Sequence, residues 1–131
     1  MAKAVRLVRD DSYEEMGAAY QCVLTAAPDA ALREHGIDSA NTRRQVAESF
    51  LFAVGELHDT GWLRPADASP VYPLLCFAER FLDVDTAPAE LGRVYAPSPG
   101  FAFHEYAHGS VGALFEGDPA ARVETGNVGD G

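Results

Sequence analysis

The stretch 101-FAFHEYAHGSVGALFEG-117 decides how this chain is read. Its centre, His104-Glu105-Tyr106-Ala107-His108, has the form H-E-x-x-H. On a helix His104 and His108 stand one turn apart, about 6 Å along the axis, and point the same way. Two imidazoles so placed can grip one divalent ion. On a strand the same step spans roughly 13 Å, and the rings cannot share an ion. Ser98-Pro99 reads as a cap followed by proline in the first turn, and Val111, Leu114 and Phe115 continue a helical spacing. These signals favour a helix over about 99–116, stopped by Gly117-Asp118-Pro119. The strand alternative stays open, because FAFHEYAH is aromatic-rich and bracketed by Gly100 and Gly109. As a helix, Phe101, His104, His108, Val111 and Phe115 share one face, so both imidazoles are expected to point toward the core. A buried imidazole needs a hydrogen-bond partner or a metal. Glu105 falls on the neighbouring stripe with Gly109, Gly112 and Glu116.

Working outward, the rest reads as mainly helical. Lys3 to Arg9 alternates and is a short strand candidate. Ser12 with Glu15 forms a capping box, and Tyr13, Met16, Tyr20, Val23, Leu24 and Ala27 follow at helical spacing. That helix is expected over about 13–27, stopping before Pro28; Asp29 to His35 adds a further turn or two, closed by Gly36. A second helix runs from Ser39–Thr42 to about His58, with Val46, Ala47, Phe50, Leu51, Val54 and Leu57 on its apolar side. Phe52 lies off that stripe, so more than one side of this helix is expected to be covered. Ser69-Pro70 suggests a third helix over about 70–83, with Pro73 uncomfortable unless it lies in the first turn. Thr86 to Leu91 reads as a helical turn and Arg93 to Tyr95 as extended. Phe50, Phe52, Trp62, Phe77 and Phe81 are most simply core. The expected fold is a single domain over 1–131: a small four-helix bundle with a short N-terminal strand and a flexible tail from about 118.

Two resemblances attach to the histidines. HEYAHGSVGAL resembles the zincin metalloprotease helix, over about eleven residues. That resemblance implies His104 and His108 as zinc ligands and Glu105 as general base on a zinc-bound water. It also asks for a preceding sheet and a third ligand downstream, where only Glu116 and Glu124 stand. The helical pattern is similar in outline to DinB-like bundles, which carry one histidine late in the second helix and a His-x-x-x-His pair on the fourth. The matching positions here are His58, in GELHDTGW, with His104 and His108. The resemblance implies a three-imidazole site for Zn, Ni or Fe, open to water or substrate, with Glu105 or Asp59 orienting a ligand. The chain is short for that family and its first helix carries no match. The plainer reading of His58 is a C-terminal helix residue whose charged form is favoured by the helix dipole and by Asp59. His35 before Gly36 has the same plain role.

The charge sets the second reading. Ten basic side chains against twenty acidic ones give a net charge of −10. Phosphate binding needs a basic face, and the one basic doublet, Arg43-Arg44, reads as a solvated helix start, so no nucleic-acid partner is expected. Cys22 and Cys76 sit in apolar helical patterns and read as free thiols. There is no apolar leader and no run approaching ~18 apolar residues, so a cytoplasmic protein without a membrane span is expected. One Lys against nine Arg, with abundant Ala, suggests a bacterial genome rich in GC. There is no phosphate loop, no C-x-x-C and no G-x-S-x-G elbow. Two function classes follow. One is a small metal-dependent hydrolase or transferase using His58, His104 and His108 with Glu105. The other is a non-enzymatic acidic protein, of the toxin-neutralising or inhibitor kind, that covers a basic partner surface.

Overall fold

A computed structural model describes residues 5–129. Within them the chain is mainly helical, with helices α1 (Ser12–Glu34), α2 (Ala40–Asp59) and α3 (Phe103–Phe115). Strands β1 (Arg6–Val8), β2 (Phe77–Ala78) and β3 (Arg93–Tyr95) form one small sheet. The described residues hold three α-helices, not the four of the expected bundle. The chain divides into two compact units. One comprises the chain up to Met16, Leu74–Phe101 and Thr125 onward; the other comprises Gly17–Pro73 and Ala102–Glu124.

In the first unit β3 is the central strand. It runs parallel to β1, with Leu7 opposite Val94, and antiparallel to β2, with Phe77 opposite Tyr95. The expected N-terminal strand is present as β1; Lys3 and Ala4 lie outside the described residues. Val94, Ala96 and Tyr13 are buried. The Tyr13 ring meets Phe101 edge-on at 4.9 Å and Phe77 at 5.5 Å, and its hydroxyl donates to the Leu75 carbonyl at 2.7 Å. The expected turn in 86–91 is a 3-10 turn at Pro88–Leu91.

Prolines explain the missing helix. Pro70 and Pro73 carry no backbone N–H and push Ser69 and Tyr72 toward extended conformations. Leu63 and Val71 instead exchange backbone hydrogen bonds at 2.9 and 2.8 Å, and the chain goes on to form β2. Ser98-Pro99 opens a turn rather than a helix. Ser98 C=O accepts from Phe101 N–H at 3.0 Å, with Gly100 at φ +80°. Proline then glycine at the two central positions is the signature of a type II turn. α3 accordingly starts at Phe103 rather than 99.

Two helix ends also differ from expectation. α1 does not stop at Pro28 but continues through it to Glu34, and Gly36 closes it at φ +85° as its left-handed position requires. Asp10, not the Ser12–Glu15 box, caps its start: its carboxylate accepts from the Ser12 N–H at 3.0 Å and from the Ser12 hydroxyl. Ser39 caps α2 as expected, accepting from Thr42 N–H at 3.2 Å.

The helical unit has a core of Ala47 and Leu51 from α2, Phe103, Ala107 and Val111 from α3, and Cys22 from α1. Two polar side chains are fully buried with it. Gln21 donates to Phe103 C=O at 2.7 Å and accepts from the Ser110 hydroxyl at 3.1 Å; Thr25 donates to Gln21 C=O at 2.7 Å. Arg43 is not solvated but buried, bonded to Asp29 at 2.7 Å and to the carbonyls of Ile37 and Asp38. The aromatic set expected in the core lies largely outside it: Phe50, Phe52, Trp62 and Phe81 are exposed. Cys22 and Cys76 are free thiols. Among the described residues no helix is long and apolar enough to cross a membrane.

Candidate functional site

The H-E-x-x-H segment is helical, in the first two turns of α3. The face it buries is not the expected one. Phe103, Ala107, Ser110 and Val111 point inward, one position away from the histidines. His104 and His108 are therefore exposed, with side chains 52% and 76% accessible. The buried face is turned by about 100° from the expected one, the angle of one residue step along the helix.

Both histidines lean on α2. Gly55 lets α3 come close: a Cβ there would stand 3.2 Å from the Cα and Cβ of His104. At the end of α2, Asp59 takes over the start of α3. Its carboxylate accepts from Phe103 N–H at 2.5 Å, from His104 N–H at 2.9 Å and from His104 Nδ1 at 2.5 Å. Ala102, at the N-cap position, has no side chain able to do this. Asp59 is thus a capping residue supplied by another helix, satisfying free N–H groups of the first turn. Burial works against its charge, but the His104 backbone and ring and the Phe103 N–H outweigh it and hold the carboxyl below its usual range. One turn along, His108 Nδ1 stands 3.6 Å from Glu48 Oε1, which itself lies 3.8 Å from Arg44 Nε.

His58 is placed differently. Its ring packs against the Phe103 ring, centroids 5.4 Å apart, and its Nδ1 is buried with no hydrogen-bond partner among the described residues. Among the described residues no group of three His, Cys, Asp or Glu side chains is arranged to hold a metal ion. The structure thus puts His104 and His108 side by side on one exposed face and does not add His58 to them. Glu105 is exposed in the first turn of α3, where its charge suits the positive end of the helix. Beside His104 lies an open cleft of about 230 Å³, lined by Phe52, Glu56, Asp59, Thr60 and His104.

In the sequence Asp59 reads as a residue able to orient a ligand or to favour the charged form of His58; its capping role depends on how the two helices meet. Gly55 carried no sequence signal beyond being a glycine inside a helix.

The second feature of this unit is on α2. Val46, Phe50, Ala53 and Leu57 recur at steps of four, three and four, which makes one stripe along the helix. All four are exposed, while Ala47, Leu51 and Gly55 anchor the other side. Trp62 and Leu63, just past the helix, are exposed as well.

No family model matches the chain, and neither the curated proteins nor the solved structures contain a significant match to it.

Proposed function

We propose that this is a non-enzymatic acidic binding protein that covers a basic, amphipathic surface of a partner protein. The observation that carries the reading is the exposed Val46–Phe50–Ala53–Leu57 stripe on a helix whose opposite side is fixed in the core. An apolar stripe of this spacing normally faces another element. Large apolar side chains grouped on a surface mark interaction sites. The net charge of −10 selects the partner's sign. On α2 the cations are already engaged, Arg43 by Asp29 and Arg44 by Glu48 and Glu116, and Glu56 lies beside the stripe. Complementary charge speeds such an encounter and makes it sensitive to salt.

The test uses two labelled helical peptides with the same leucine pattern, one carrying lysines and one glutamates. Fluorescence anisotropy should show the lysine peptide binding, more weakly at higher salt, and binding should fall at least tenfold in a Phe50→Ser/Leu57→Ser double variant. Equal binding of the glutamate peptide, indifference to the double variant, or a chain that buries the stripe by self-association in sedimentation would overturn the reading.

A further inference from the structure

The H-E-x-x-H pair is not used by this binding role, and its geometry has a chemistry of its own. We propose that His104 and His108 form a two-imidazole site for one divalent transition ion, with Asp59 orienting the His104 ring, the Glu48 carboxylate facing His108, and solvent completing the shell.

Helical geometry sets the two rings one turn apart on one exposed face. Both turn the same nitrogen toward α2: His104 Nδ1 toward Asp59 at 2.5 Å, and His108 Nδ1 toward Glu48 at 3.6 Å. An ionised carboxylate only accepts, so the His104 proton is held on Nδ1 against Asp59 and the lone pair of that ring is left on Nε2. This is the relation of carboxylate to ligating histidine that fixes tautomer and ring direction in metal sites. Here Asp59 supplies it to His104 from the end of α2, and Glu48 stands 3.6 Å from the same nitrogen of His108.

The surroundings favour a cation. Glu56 joins Asp59 in lining the open cleft beside His104, which has room for the water molecules of an incompletely ligated ion. His58 is not a third ligand: its buried Nδ1 faces no partner among the described residues and its ring is held against Phe103. Two protein nitrogens suit ions that prefer imidazole, with Cu²⁺ bound more tightly than Zn²⁺.

Calorimetric titration of the full chain with Cu²⁺ and, separately, Zn²⁺ tests this in a buffer that does not chelate. One ion per chain is expected. His104→Ala and His108→Ala, both at exposed positions, should each weaken it at least tenfold, while His35→Ala should leave it unchanged. Asp59→Asn should weaken it about 10–100-fold. Pulsed EPR of the Cu²⁺ form should show two coordinated imidazoles, a readout that a merely structural histidine pair would not give. Absence of saturable binding, or binding unmoved by the two histidine variants, overturns the proposal. Three coordinated imidazoles with loss on His58→Ala would replace it by the three-histidine site. Unchanged affinity in Asp59→Asn removes the orienting role.

Discussion

Asp59 grips His104 twice, through its backbone N–H at 2.9 Å and its ring Nδ1 at 2.5 Å. A single side chain from the last residue of α2 thereby caps the first turn of α3 and sets the direction of an exposed imidazole. Because α3 has no cap of its own, its first turn depends on this carboxylate.

Asp59→Ala should therefore destabilise the chain by about 1–2 kcal/mol, the usual cost of losing a good N-cap. Asp59→Asn, which keeps one accepting oxygen, should cost less. Urea unfolding followed by far-UV circular dichroism measures both. Equal stability of the Ala variant and the parent would mean that solvent caps α3 just as well.

Gly55 provides the close approach that makes this grip reachable. Its missing Cβ would stand 3.2 to 3.3 Å from His104 backbone and Cβ atoms, which are not free to swing away. Gly55→Ala sets a helix-propensity gain against that tight contact, so its change should be small. Gly55→Val adds two methyl groups where none fit and should cost about 1–3 kcal/mol, as overpacking does. Proton NMR of the Val variant should also show the His104 ring signals displaced.

The helices that carry these contacts were legible where their signals were unambiguous. Ser39 and Gly36 end helices as their residue types require. At His104 the sequence favours a helix over a strand without deciding between them; the structure is helical there, with a different face buried. Phe101 is expected on the inward face, whereas the Ser98–Phe101 turn keeps it out of the helix. Ser-Pro signals mislead here because a cap before proline and a turn before proline use the same pair. Gln21, Thr25 and Arg43 were hidden for a different reason. A polar side chain reads as exposed until its partners are known, and those of Gln21 lie more than eighty residues away. Phe50 and Phe52 are expected in the core from hydrophobicity alone, which cannot tell an inner face from a docking face.

His58 offers a sharper test of what a histidine is doing. Its buried Nδ1 has no partner among the described residues, and an unsatisfied buried polar atom costs about 1–3 kcal/mol. His58→Phe keeps a ring against Phe103 and removes that atom. The variant should melt no lower than the parent, and higher if the ring fits the same space. A large loss of stability would show that Nδ1 has an ordered water partner.

The sheet unit should respond to acid. Asp10 is held below its ordinary range by the Ser12 hydroxyl and N–H, and Glu79 by the Arg93 guanidinium and N–H. Each carboxyl is more acidic folded than unfolded. Its contribution is then complete above the unfolded value and lost as pH falls below about 4, through the folded one. Urea midpoints should decline over that window, and Glu79→Gln with Asp10→Asn should flatten the decline. Both side chains are exposed, so the effect is a slope rather than a collapse. A midpoint that rises on acidification would reverse the sign and refute the assignment.

Leu51 and Phe50 are adjacent in sequence and should behave in opposite ways. Leu51 is completely buried against α3, and Phe50 is 40% exposed on the apolar stripe. Leu51→Ala removes packed atoms and leaves a cavity, a loss of about 2–5 kcal/mol. Phe50→Ser gives up only a partly covered ring and should stay within about 1 kcal/mol of the parent. If the stripe docks a partner, the order reverses on binding: Phe50→Ser should lose affinity for the lysine peptide, whereas any Leu51→Ala chain still folded should keep it. A Phe50→Ser chain that unfolds as readily as Leu51→Ala would place that ring in a core, and the stripe would have no surface to offer.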